Sequence, residues 1–269
     1  MNRIDVTLER LEACGKKMLS PYITAGDPQP DVTVSLMHAL VKAGADILEL
    51  GIPFSDPMAE GPVIQRAMER ALEHHVHIKD VLRMVEEFRQ QDKETPIILM
   101  GYLNPIEQYG YERFAQDAVN SGVDGTILVD LPPEESQEVN RIWQEQGLYS
   151  IFLCSPTTSD ARMILINQCA KGYLYYVSLK GVTGSSGLDM TTLKAEYQHR
   201  KSQTTLPLMV GFGIKTAEMA ADVAHFADGV IVGAALITEI LEAYNTKHDM
   251  LQAGAKLINS MRTAMDRGY

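Results

Sequence analysis

Residues 46–62 read DILELGIPFSDPMAEGP: a short apolar run stops at Gly51, and a loop punctuated by Pro53, Pro57 and Gly61 leads into a helical pattern. A strand followed by a helix is the unit this spacing predicts. The same unit opens with SPYITAGDP (20–28) and a helix predicted near 31–43, then recurs at PIILMGY (96–102), GTILVDLPP (125–133) and YSIFLCSP (149–156). YLYYVSLKG (173–181), LPLMVGFG (206–213) and DGVIVGAA (228–235) bring the count to eight. Runs apolar on both faces belong to a parallel sheet covered by helices, and eight successive βα units favour closure into a (β/α)8 TIM barrel with additional helices. A terminal helix is predicted over about 249–265.

The 269 residues suit one barrel domain, 1–269, because barrels of roughly 250 residues fold as single units and no low-complexity linker interrupts the chain. A net charge of -11 opposes binding to nucleic acid or to anionic lipid. The opening MNRIDVTLERLEACGKKMLS has no apolar core of signal-peptide type and no later run approaches a membrane span, so a cytoplasmic protein is expected. Cys14, Cys154 and Cys169 have neither disulfide nor zinc-knuckle spacing; they are expected to be reduced and mostly buried.

In such a barrel the active site lies where strands end and βα loops begin. Strand alternation groups Glu49 with Ile47 against Leu48 and Leu50. A carboxylate pressed against the helix layer is desolvated without a partner, which places Glu49 inward at the mouth, where partial burial raises its pKa and suits it to proton exchange. A structural Glu paired with a backbone amide or a cation is the alternative. Glu60, beside Gly61-Pro62, either caps the next helix or points at substrate. Asp56 and Asp27 read as turn formers, and Asp130 as a turn former or a functional residue.

Glycines cluster late in the chain, in KGVTGSSG (180–187), GFGI (211–214) and VGAA (232–235). Loops after the last two barrel strands, with a helix N-terminus, make an anion site from backbone N–H groups. Gly184, Gly213, Gly233 and Ala234 are the candidate phosphate-binding residues, and the KGVTGSSG segment is a candidate lid hinged at Gly181 and Gly184. All seven histidines fall outside the predicted strand ends, and no dinucleotide or P-loop motif occurs, so no metal or nucleotide cofactor is expected. Acid–base chemistry on a phosphorylated small molecule remains.

ELGIPFSDPMAEGPVIQ (49–65), the GVTG segment and GFGI resemble the α subunit of tryptophan synthase, over about residues 21–239. The resemblance implies retro-aldol cleavage of indole-3-glycerol phosphate to indole and glyceraldehyde 3-phosphate without a cofactor in this chain. It also implies a β-subunit partner carrying pyridoxal phosphate, in a tetramer of two α and two β chains. Glu49 is implied as the proton-transferring carboxylate, and position 60 as the acid that stabilises charge on the indole nitrogen. Tyr22, Met100, Tyr175, Thr183 and Phe212 match substrate-lining positions; Asp56, Pro57, Asn104 and Pro132 match the β-subunit interface. Two residues depart from the family: Glu60 stands where Asp is usual, and Ala234 where Ser is usual. Two rivals remain, a Schiff-base aldolase using Lys180 and a non-catalytic barrel that activates its β subunit.

Overall fold

The computed structural model describes residues 1–178, 190–211 and 213–267. Helix α1 (Arg3–Ala13) precedes β1 (Met18–Thr24), a 3-10 turn (Pro30–Val32) and α2 (Thr33–Lys42). There follow β2 (Leu48–Gly51), α3 (Pro62–Glu73), α4 (Ile78–Arg89), β3 (Ile97–Gly101), α5 (Leu103–Tyr109) and α6 (Tyr111–Ser121). Then come β4 (Gly125–Leu128), α7 (Gln137–Gln146), β5 (Tyr149–Ser150), β6 (Phe152–Cys154), α8 (Asp160–Cys169) and β7 (Leu174–Val177). The chain finishes with α9 (Met190–Lys201), β8 (Leu208–Gly211), α10 (Ala217–Ala224), β9 (Gly229–Val232), α11 (Ala234–Asn245) and α12 (Met250–Arg267).

Every described strand pairing is parallel, in the order β5-β4-β3-β2-β1-β9-β8-β7-β6. The two ends of that list are halves of one sequence run, separated only by Ile151, so the sheet closes on itself as the predicted (β/α)8 barrel. Where the sequence predicts one fifth strand, the structure has two pieces, because Tyr149–Ser150 pairs with β4 while Phe152–Cys154 pairs with β7. The terminal helix falls within two residues of its predicted bounds.

Alternation along each strand sorts the apolar residues into two layers. Met18, Ile98, Ile127, Ile151, Met209 and Ile231 fill the barrel interior together with Ile4 of α1, which plugs the lower end. Leu48, Leu50, Phe88, Phe114 and Trp143 belong to the larger layer between sheet and helices. Cys154 is buried and Cys169 half-buried, but Cys14, just past α1, is exposed, so the expectation of mostly buried thiols fails there. Among the described residues, no helix is long and apolar enough to cross a membrane.

The lower rim repeats one device. Asp46, Asp124 and Asp228, each just ahead of a strand, accept backbone N–H bonds from Leu19, Ile97 and Leu208 at 3.0, 2.9 and 2.8 Å. Each carboxylate is also paired with cations: Asp46 with Arg262, Asp124 with Arg3 and Arg89, Asp228 with Lys201. These bonds tie neighbouring strands at their starts, on the face where barrels invest in stability.

Candidate active site

Glu49 sits mid-β2, in register with Tyr22 of β1 and Ile98 of β3, with its side chain inside the barrel and no solvent exposure. The predicted inward orientation holds. The Tyr173 hydroxyl donates to Glu49 Oε1 at 2.8 Å, whereas Oε2 has no hydrogen-bond partner among the described residues. A buried, unsatisfied carboxylate oxygen is expensive in the charged form and far cheaper when protonated. Burial accordingly pushes the Glu49 pKa up to about 8; the Tyr173 bond and the nearby Ser20 hydroxyl oppose the rise, and negative charge on Glu60 adds to it.

Glu60 ends the loop between β2 and α3 and is half-buried, with burial lifting its pKa to about 7. Among the described residues no hydrogen bond joins its carboxylate to the start of α3, where Gly61 holds the N-cap position. Its charge is felt by Tyr22, Tyr102, Tyr175 and Glu49, which places the two carboxyls and three phenols around one space. Burial keeps the phenols of Tyr22 and Tyr175 far above their ordinary range, so both remain neutral donors.

Tyr22 fits because Gly51 lies beside it: a Cβ at Gly51 would overlap the phenol oxygen. Met100 and Tyr175 are buried in the same interior layer. Gly233 is the N-cap of α11, and a Cβ built there would lie 3.5 Å from the Tyr22 ring and 3.7 Å from Ile64, so the start of α11 opens beside the same space. Ala234 is exposed at the first position of that helix, whose first turn has neither a side-chain cap nor an acidic residue. Gly213 adopts a φ of +81° in the loop after β8. Thr183, Gly184, Phe212, Lys180 and Gly181 lie outside the described residues.

The loops after β2, β3 and β4 are bonded to one another. Ala59 N donates to the Tyr102 hydroxyl at 3.1 Å, and Leu103 N to Asp130 Oδ1 at 2.7 Å, so Asp130 caps α5. Asp56 and Asn104 are exposed, and Pro57 and Pro132 half-exposed, along this joined rim. Met58, 84% exposed, overhangs a groove of about 390 Å³ lined by Leu131, Pro132, Phe152 and Val177. Asp27 is more than a turn former: it is buried and takes a two-pronged ion pair from Arg70 at 2.6 and 3.1 Å, fastening the β1 loop to α3.

Sequence reasoning missed Tyr173, Ser20, Tyr102 and Thr24, whose hydroxyl lies 3.3 Å from that of Tyr22. Each stands two residues from a residue already singled out, Tyr175, Tyr22 or Met100; the period of two points Tyr173, Ser20 and Thr24 inward, whereas Tyr102 follows the end of β3 and stands on the rim against the β2 loop.

Residues 8–266 match the family model described as tryptophan synthase alpha chain. The tryptophan synthase alpha chain of Legionella pneumophila (strain Lens) is 74% identical, with 99% of this chain and 98% of the relative aligned. That of Thioalkalivibrio sulfidiphilus is 53% identical over 99% and 100%. The crystal structure of tryptophan synthase subunit alpha from Legionella pneumophila str. Paris superposes with a TM-score of 0.96 at 71% identity, covering 99% of both chains. The aminoacrylate-bound tryptophan synthase from M. tuberculosis does so at 0.87 and 30% identity, covering 98% and 100%. A barrel with a buried glutamate at its mouth, matched along nearly its whole length by these proteins, belongs to the tryptophan synthase alpha chain family.

Proposed function

We propose that Glu49 and Glu60 divide the chemistry of this family's reaction between them. The chain is a lyase that cleaves indole-3-glycerol phosphate to indole and glyceraldehyde 3-phosphate, and the indole passes to the β subunit with which it works. The single observation that carries the assignment is a carboxyl group sealed inside the barrel with one oxygen unpaired among the described residues.

With a pKa of about 8, Glu49 is mostly protonated at neutral pH. It gives its proton to indole C3, which places positive charge on the ring nitrogen, and the Glu60 carboxylate stabilises that charge. The Glu49 carboxylate so formed takes the proton of the hydroxyl adjacent to C3. The C–C bond breaks as that oxygen becomes the aldehyde carbonyl, its electron pair returns to the indole ring, and Glu49 ends protonated, ready for another turnover. No net proton is consumed.

Tyr22, Met100 and Tyr175 line the pocket, and by resemblance to the family Thr183 and Phe212, outside the described residues, contact the same substrate. Gly184, Gly213, Gly233 and Ala234 hold the phosphate, the last two through backbone N–H groups at the start of α11. Asp56, Pro57, Asn104 and Pro132 meet the β subunit, which carries the pyridoxal phosphate, in a cytoplasmic tetramer of two α and two β chains. Residues 1–269 act as one domain. The test is Glu49→Gln in complex with the β subunit. Loss of glyceraldehyde 3-phosphate release with the fold and β binding unchanged is expected; retained turnover would remove Glu49 from its role.

A further inference from the structure

ELGIPFSDPMAEGPVIQ ends on a residue to which nothing so far gives a purpose, Gln65. Its carboxamide reaches back from the first turn of α3 and donates Nε2–H bonds to the carbonyl of Glu60 at 3.0 Å and, more weakly, to that of Pro57 at 3.5 Å. The segment it grips is a turn closed by Glu60 N–H on Pro57 O at 3.0 Å, with Ala59 N bonded to Tyr102 at 3.1 Å. Both backbone polar groups of Glu60 are therefore engaged. The start of α3 that bears Gln65 is itself fixed against the mouth, because its neighbour Ile64 packs beside Gly233 and the Tyr22 ring.

A glutamate has one more rotatable side-chain bond than an aspartate, so any looseness in its backbone spreads its carboxylate over a wider arc. A displacement of ~1 Å at a reacting centre costs about a hundredfold. We infer that Gln65 is a positioning residue for Glu60, its amide clip holding the 57–60 turn so that the Glu60 carboxylate addresses the indole nitrogen. This rests on the role given to Glu60 above. Gln65 touches no substrate; it acts through the backbone of the residue that does.

The experiment is a double-mutant cycle on the complex with the β subunit, reading glyceraldehyde 3-phosphate release. Gln65→Met keeps the length and removes the donor. It is expected to lower kcat by roughly 10- to 100-fold with KM changed less than about threefold, and to leave Tm within about 2 °C, since one half-exposed hydrogen bond contributes little to stability. Gln65→Lys, which returns an N–H donor at similar reach, is expected to recover most of the rate. In a Glu60→Gln background the same Gln65→Met change is expected to cost less than about threefold, because no carboxylate is left to aim.

Equal losses in both backgrounds, or a loss below about threefold in the native one, overturn the inference. Full activity of Glu60→Gln alone overturns the role of Glu60 first and this proposal with it, so the two failures are separable.

Discussion

The two ends of the barrel treat a buried carboxylate in opposite ways. At the lower rim Asp124, 3% exposed, meets two guanidiniums and a backbone N–H, all at 2.9 Å. At the mouth Glu49, fully enclosed, takes one hydrogen bond from a tyrosine hydroxyl, and its other oxygen has no partner among the described residues. Burial lifts the pKa of both, but at Asp124 the backbone bond and both arginines oppose it, whereas Glu49 rises to about 8. Compensated burial makes a fastener; uncompensated burial stores a proton where a reaction needs one. The lower rim surrounds its carboxylates with cations and backbone donors, and the mouth keeps one carboxyl neutral.

The contrast breaks most visibly by swapping chemistry for shape. Glu49→Gln is expected to lower kcat by at least about a thousandfold, toward the upper end of what general acid–base catalysis supplies. Asp124→Ala should do the reverse, costing about 3–5 kcal/mol by stranding two partly buried arginines while leaving kcat within a few-fold. Thermal unfolding against turnover checks the pair, and a stable Asp124→Ala protein would dissolve the distinction.

A pH series sharpens it next. The folded-state pKa of Glu49, about 8, lies above the usual glutamate value of 4.5, so between those pH values the native state keeps a proton that the unfolded chain has lost. Its contribution to stability is full below pH 4.5 and is lost as pH rises through about 8. Urea unfolding at pH 5 and pH 8.5 should therefore show a decline, of order a few kcal/mol from this group, that is absent in Glu49→Gln. The same two carboxyls predict that kcat/KM peaks near neutrality. It falls on the acid side as Glu60 protonates, near pH 7, and on the alkaline side as Glu49 ionises, near pH 8; the apparent values belong to the coupled pair. Glu60→Gln should erase the acid limb.

The smallest expected effect is at the phosphate end. Ala234→Ser restores a hydroxyl beside backbone donors and should lower KM several-fold, as one added hydrogen bond of about 1 kcal/mol does. Glu60→Asp should preserve activity.

Much of this architecture was written in local patterns. The eight apolar runs announced a barrel because each is short, apolar on both faces and followed by a helical period, and alternation alone turned Glu49 inward. The break at Ile151 was not legible, since YSIFLC reads as one strand and only pairing with two different neighbours divides it. The lower-rim aspartates do recur in the sequence, as Ala45-Asp46, Val123-Asp124 and Ala227-Asp228 before strands, yet their cations come from α1, α4, α9 and α12, far away along the chain. Spacing leaves Glu60 between capping and catalysis, because it does not say how a loop folds. The Gln65 clip lies in the same blind spot: it depends on where two carbonyls point.

The pairing of β1 with β9 sets a clock on the birth of this protein. Met18 finds its partner Gly229 only after most of the chain has been made, which at ribosomal rates of about 5–20 residues per second is on the order of ten seconds or more. Through that interval the first strand leaves the ribosome with an open edge, an invitation to foreign strands that ends only when the cylinder shuts.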